Sequence, residues 1–216
     1  DKDMTIGKKD LLLYAVTDQT WTGKLSLYEQ VQQAIEGGIT CLQLREKNMS
    51  EDKFLQEAKE IGALCKEKQI PFIVNDDVEV AVKTGADGVH IGQSDMDGAK
   101  ARALLGPDKI LGISARTVEQ AQKAQADGAD YLGVGAVFHT STKKDAHAVD
   151  FQTLKQICQS VSIPVVAIGG ISKENLLQLK GSGVCGVALV SAVFAAEDIR
   201  KECRELHRLS SEMVEG

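Results

Sequence analysis

Eight short apolar segments recur along this chain at near-even spacing, each bounded by glycine or proline, and no other feature narrows the fold as far. They cover residues 11–17, 41–45, 71–75, 88–92, 110–114, 131–137, 165–168 and 186–190. Short runs that are apolar almost throughout suit strands of a parallel sheet covered on both faces. Between them apolar residues fall at helical spacing, as in Leu27, Val31, Ala34 and Ile35, or Phe54, Leu55, Ala58, Ile61 and Cys65. Helix starts are marked by capping chemistry: Ser26 with Glu29 and Thr117 with Gln120 fit capping boxes, while Ser50 and Ser172 stand at expected N-caps.

A weak internal repeat reinforces this alternation. Gly38, Gly85, Gly128 and Gly183 each precede a strand segment by a few residues, where glycine permits the left-handed turn that ends a helix. Eight strands alternating with about eight helices predict an α/β chain folded as one (β/α)8 TIM barrel, with its active site at the C-terminal strand ends. An open doubly wound sheet competes, but it usually has fewer strands and often a glycine-rich turn after the first. Here the first strand runs instead into Thr17, Asp18, Gln19, Thr20 and Trp21. The barrel is expected to take up all of 1–216, with 1–10 as an N-terminal extension. Asp1 in place of an initiator Met suggests trimming and leaves fusion to another domain open.

Composition sets the outer bounds. At 216 residues and 43% hydrophobic, the chain can bury the core of one such domain. Its 25 Lys and Arg against 31 Asp and Glu give a net charge of −6, which argues against a nucleic-acid partner. An anionic ligand must then be drawn in by a local group of cations. The five cysteines are odd in number, scattered and never spaced as C-x-x-C. They read as reduced thiols of a cytoplasmic protein and not as a disulfide framework or zinc site. No apolar run approaches the roughly 18 residues that span a bilayer, and the first residues lack a signal-peptide core, so no membrane partner is expected.

The strand ends carry the chemistry. The second ends in Gln43, Leu44, Arg45, Glu46 and Lys47, and alternation sets Gln43, Arg45 and Lys47 on one face. An inward amide with two cations calls for an anion, unless Arg45 and Lys47 simply pair with Glu46 or Asp18. The third ends in Asn75, Asp76 and Asp77, and Asp95 follows the fourth. One of Asp76 and Asp77 is expected to cap the next helix. Two aspartates from neighbouring strand ends also suit Mg²⁺, which takes one or two carboxylates together with phosphate oxygens.

The fifth strand offers Ser114. The sixth, with Gly133 and Gly135 leaving room for close backbone or ligand approach, runs into Thr140, Ser141, Thr142 and Lys143, a set of phosphate-binding hydroxyls and a point charge. Gly170 after the seventh strand, with Val190 and Ser191 after the eighth, can cradle phosphate with backbone N–H groups. Two anion sites emerge, one cationic with carboxylates and one neutral and glycine-rich. They suggest two phosphorylated substrates, or one with two phosphate ends.

Residues 43–47, 74–77, 89–93, 112–114, 134–143 and 167–171, in this order, resemble the thiamine-phosphate synthase family, and the likeness runs from about Leu11 to Ile199. The resemblance implies a transferase that joins 4-amino-5-hydroxymethyl-2-methylpyrimidine diphosphate to a thiazole phosphate and releases diphosphate. It implies that Gln43, Arg45 and Lys47 hold the pyrimidine diphosphate with Asn75, Ser114 and Lys143, and that Asp76 and Asp95 bind Mg²⁺. The resemblance further implies that Arg45, Lys47, Lys143 and Ser114 carry the catalytic role, while Thr140, Ser141, Thr142, Gly170, Val190 and Ser191 bind thiazole phosphate. Ionisation of the diphosphate would leave a cation that the thiazole nitrogen captures, with no general base.

The chain departs from the family pattern at Ala136 and His139, where prolines are usual, so a less constrained loop is expected there. His139 is read as a solvated loop residue, His90 as making a structural hydrogen bond, and His147 and His207 as surface residues. A thiazole tautomerase on the same barrel is the near alternative, favoured by His139 but with no use for the charged site. A non-catalytic thiazole-phosphate binder would keep the neutral site and lose the charged one. A homo-oligomer is compatible with these residues without being read from them.

Overall fold

The protein is described by a computed structural model over residues 6–23, 25–139 and 148–215. Eight parallel strands close into one barrel in sequence order: β1 (Leu13–Val16), β2 (Cys41–Leu44), β3 (Phe72–Asn75), β4 (Gly88–Ile91), β5 (Ile110–Ala115), β6 (Tyr131–Val134), β7 (Val165–Ile168) and β8 (Gly186–Leu189). Closure is made by β1 against β8, with Leu13 opposite Val187 and Ala15 opposite Leu189. All eight expected strands form: β2, β3, β4 and β8 are one residue shorter than the apolar runs, β1 and β6 three shorter, β7 equal and β5 one longer.

Helices α1 (Leu27–Gly37), α2 (Glu51–Glu67), α3 (Val78–Thr84), α4 (Gly98–Leu105), α5 (Val118–Ala126) and α6 (Phe151–Ser160) make the first six crossovers. After β8 come a short α7 (Ser191–Phe194) and the long α8 (Ile199–Val214). The expected capping box at Ser26 is complete: Oγ accepts from the Glu29 N–H, and the Glu29 carboxylate accepts from the Ser26 N–H. At Thr117 the reciprocal half shifts by one residue, because Gln120 Oε1 accepts from the Arg116 N–H. Gly38, Gly85, Gly128 and Gly183 all have positive φ, as the repeat requires.

Two expectations need correction. Ser172 caps no α-helix: the β7–β8 connection is a turn and a single 3-10 segment, Leu176–Leu179. Leu176 and Leu179 are its two buried side chains, a spacing of three that stacks them on one face of a 3-10 turn. Residues 1–10 are also not wholly an extension. Ile6 is buried, and a 3-10 helix, Lys8–Leu11, carries Leu11 into the barrel interior, so β1 starts two residues later than the apolar run. Together Ile6 and Leu11 floor the barrel.

Strand alternation divides the core in two. Outward residues such as Leu13, Leu42, Val74, Val89 and Val187 pack beneath the helices. Inward ones (Tyr14, Cys41, Ile73, Ile110, Tyr131 and Val166 among them) fill the barrel. Glycines on the inward face make space for the large rings. A Cβ on Gly112 would lie 2.2 Å from the Tyr131 ring, which stands directly opposite it in the ladder. A Cβ on Gly133 would lie 3.2 Å from the His90 imidazole. Gly133 thus makes room for a side chain and Gly135 for the Ile168 carbonyl, and neither gap is left to a ligand.

Gly112→Ala should therefore strain the barrel interior and cost about 2 kcal/mol or more of stability, as overpacked cores do. Urea denaturation checks this; an unchanged midpoint would show that the ring can move aside at no cost.

Candidate active site

The C-terminal strand ends bring together most of the residues singled out from the sequence. Gln43 and Asn75 meet directly: Asn75 Nδ2 donates to Gln43 Oε1 at 2.8 Å, and Gln43 Nε2 donates to the Tyr14 hydroxyl at 2.8 Å. Ser114 Oγ lies 2.8 Å from His90 Nε2, and His90 Nδ1 lies 2.9 Å from the Tyr131 hydroxyl. The two tyrosine hydroxyls are 2.6 Å apart. Burial holds the His90 imidazole neutral, its pKa pushed down to about 4, and drives both phenols well above their ordinary range. The structural hydrogen bond expected of His90 is in fact two.

Arg45 follows β2, and its backbone is fixed from β1: the Thr17 hydroxyl, fully buried, accepts from the Arg45 N–H at 2.9 Å. Neither Arg45 nor Lys47 is in an ion pair among the described residues, so the simple pairing with Glu46 or Asp18 is not formed. Glu46 instead takes a hydrogen bond from Gln19 Nε2 at 2.6 Å, and the same amide group reaches Glu57 at 3.1 Å. Partial burial first, and then Glu46 beside it, push the Glu57 carboxyl up to about 8.

The two neighbouring aspartates separate by role. Asp77 is the N-cap of α3, accepting from the Val80 N–H at 3.0 Å. Asp76 has φ 65°, left-handed, while its N–H still donates to the His90 carbonyl at 2.8 Å. Its side chain shares a hydrogen bond with Asp95, whose own carboxylate accepts from the Gly92 N–H at 2.7 Å. Partial loss of water and then the Asp95 carboxylate raise the Asp76 pKa to about 6, against the opposing pull of Lys47 and Arg45. Two neighbouring carboxyls, all-oxygen donors open to solvent, fit a hard divalent cation.

Across the mouth, Gly170 is left-handed, and a Cβ there would meet the Phe138 and His139 carbonyls at 2.9 and 3.1 Å. Asn175 organises this turn: Nδ2 donates to the Gly170 carbonyl at 2.8 Å and Oδ1 accepts from the Ser172 N–H at 2.9 Å. Among the described residues, the N–H groups of Gly170 and Ser191 have no acceptor, and both residues are exposed. Val190 is the N-cap of α7. Thr140, Ser141, Thr142 and Lys143 lie outside the described residues, as does His147. His139 is exposed. The base of its loop is anchored through hydrogen bonds from Val137 to Ile168, Phe138 to Gly169 and Val149 to Ala136. His207 is not a free surface residue: Nδ1 lies 2.8 Å from the Gly38 carbonyl at the end of α1.

Sequence reasoning missed Tyr14, Tyr131, Thr17 and Asn175. A signal existed for Tyr131, since the inward glycine opposite it has no other purpose. Thr17 and Asn175 act through backbone groups, which leave no pattern in side-chain types.

A closed parallel barrel with a carboxyl pair, two cations in no ion pair and a glycine turn after β7 at one mouth defines an enzyme acting on phosphorylated small molecules. Residues 13–193 match the model of a family described as thiamine monophosphate synthase. The chain is 50% identical to the thiamine-phosphate synthase of Ruminiclostridium cellulolyticum, over 92% of this chain and 95% of that one. It is 47% identical to that of Clostridium tetani, over 91% and 94%. The solved thiamine phosphate pyrophosphorylase of Pyrococcus furiosus superposes with a TM-score of 0.88 at 40% identity, covering 96% of this chain and 98% of that one. The chain belongs to the thiamine-phosphate synthase family. It is a transferase that forms a carbon–nitrogen bond.

The Glu57 carboxyl has a checkable signature. Its folded pKa is raised, so its contribution to stability is full below about pH 4.5 and is lost as pH rises through about 8. Glu57→Gln should match the parent protein at about pH 4 and melt progressively higher than it as pH rises to about 9, which thermal denaturation across pH measures. Parallel curves for the two proteins would mean that Glu57 is already ionised.

Proposed function

We propose that this enzyme condenses 4-amino-5-hydroxymethyl-2-methylpyrimidine diphosphate with 4-methyl-5-(2-phosphoethyl)thiazole, giving thiamine phosphate and diphosphate. The observation that carries the reading is the pairing of Asp76 with Asp95 beside Arg45 and Lys47, charges of both signs gathered where no ion pair forms among the described residues. Gln43 and Asn75 orient the pyrimidine, and Arg45, Lys47 and Lys143 bind the diphosphate as its bond to the methylene carbon lengthens. Asp76 and Asp95 hold Mg²⁺, which when bound offsets the charge that builds on the leaving diphosphate. Ser114 stands at the edge of the pyrimidine site. Thr140, Ser141, Thr142, Gly170, Val190 and Ser191 hold the thiazole phosphate so that its ring nitrogen faces the electrophilic carbon. No side chain needs to take a proton from that nitrogen, and catalysis rests on ionisation and positioning. The proton-moving alternative, a tautomerase on one thiazole phosphate, would leave the carboxyl pair and its cations without a task.

Mixing the two substrates with folded protein should yield thiamine phosphate and diphosphate only when Mg²⁺ is present; no product under those conditions overturns the reading. The cation site is tested separately. Asp76 has a raised folded pKa, so its protonated form favours the fold, and that contribution is lost as pH rises through about 6. Mg²⁺ should therefore raise the melting temperature clearly at about pH 7.5 and little at about pH 5, and Asp76→Asn should remove the effect. A shift that survives in Asp76→Asn places the cation elsewhere.

Lys143→Ala should lower kcat by roughly a hundredfold, with little change in the KM for thiazole phosphate, as loss of leaving-group stabilisation does. The reverse split in steady-state kinetics would assign Lys143 to the other substrate.

A further inference from the structure

Six side chains on six successive strands form one unbroken line of hydrogen bonds through the barrel. It runs Asn75, Gln43, Tyr14, Tyr131, His90, Ser114, with links between 2.6 and 2.9 Å. Only its two ends, Asn75 and Ser114, reach the mouth beyond the buried middle. Tyr14, Tyr131, Gln43 and His90 are all buried, so the single hydrogen of each phenol and of the neutral imidazole must find its acceptor within the line.

The Gln43 amide, with Nε2 toward Tyr14 and Oε1 toward Asn75, sets the direction, and counting hydrogens carries it along the line. Gln43 Nε2 donates to Tyr14, so the Tyr14 hydrogen lies toward Tyr131, and the Tyr131 hydrogen lies toward His90 Nδ1. A neutral imidazole with an acceptor at Nδ1 carries its single hydrogen on Nε2, which donates to Ser114 Oγ. The Ser114 hydrogen is then left pointing away from the line. At the other end Asn75 spends Nδ2 on Gln43 and keeps Oδ1, which no described group engages. The reversed line would invert both ends together: Ser114 would become an acceptor and Asn75 would present N–H. A mixed arrangement leaves a buried link with two hydrogens or none.

We propose that Tyr14, Tyr131 and His90 are positioning residues that lock Ser114 as a donor and Asn75 Oδ1 as an acceptor, so that two edges of one heteroaromatic ligand are read jointly through the barrel core. This rests on the pyrimidine reading above. The pattern suits a ring with an exocyclic amine facing the acceptor and a ring nitrogen or other acceptor facing Ser114. It selects against the oxo analogue, in which a carbonyl replaces the amine and the adjacent ring nitrogen carries hydrogen.

The first test needs no variant and no substrate. In ¹⁵N NMR of the wild-type protein, His90 is the histidine whose signals stay constant between about pH 5.5 and pH 8. It should be neutral with hydrogen on Nε2; hydrogen on Nδ1, or an imidazolium, overturns the proposal. The second test is kinetic. Tyr131→Phe keeps the ring and removes the two hydrogen bonds of its hydroxyl, and should raise the KM for the pyrimidine diphosphate by about tenfold, with the KM for thiazole phosphate within about twofold. It should also lower the preference for the amino over the oxo substrate. Equal losses on both substrates with unchanged preference would reduce Tyr131 to packing and overturn the proposal, and Tyr14→Phe gives the same reading if Tyr131→Phe does not fold. Wild-type enzyme that ignores the pyrimidine diphosphate would sink the proposed function while the tautomer still decides the direction of the line.

Discussion

Pairing of β1 with β8 closes the sheet, and closure forces every second residue of eight strands into one shared, dry interior. Little of that space can be hydrated, so each inward polar group must find its partner among the other inward groups. The lower interior meets this constraint with aliphatic and aromatic bulk. The upper interior meets it with two amides, two phenols, an imidazole and a hydroxyl that satisfy one another across six strands. Stability and site geometry are consequently the same set of contacts. A change at Gly112 or Gly133 acts on the mouth even though neither residue faces it, because each glycine is the space in which a ring of the network sits.

Electrostatics sets the rim apart from the interior. Partial burial and the neighbouring Asp95 make Asp76 harder to ionise, and Arg45 and Lys47 stand near them in no ion pair among the described residues. The chain's overall negative charge makes this local arrangement more telling, since nothing in the global field gathers cations here. Backbone fixtures carry much of the positioning. The Thr17 hydroxyl grips Arg45 from the neighbouring strand, the left-handed φ at Asp76 turns the chain between ladder and cap, and Asn175 spans the turn that carries Gly170.

The sequence made the fold readable because barrel strands and their crossovers carry strong periodic signals, and all eight strands were placed. What it obscured were features without a side-chain pattern. Ser172 looked like a helix start, yet Leu176 and Leu179 stack at a spacing of three, and a 3-10 turn needs no cap. Residues 1–10 looked like an extension because Ile6 and Leu11 are too few to show a period. At the mouth, Gln43, Asn75, Asp76, Asp95 and Ser114 were found from residue type and strand position. Tyr14 and Tyr131 were passed over because a tyrosine in an apolar run reads as bulk. Only the three-dimensional register shows its hydroxyl to be a link.

The floor made by Ile6 and Leu11 has a consequence for traffic. The Leu11 carbonyl sits so close to Gly186 that a single added carbon there would stand 1.9 Å from it. Nothing threads a barrel plugged this tightly, so it works as a cup and not as a tunnel. A molecule held at the C-terminal strand ends therefore has a single rim by which to come and go, and the opposite end of the barrel serves only as its floor.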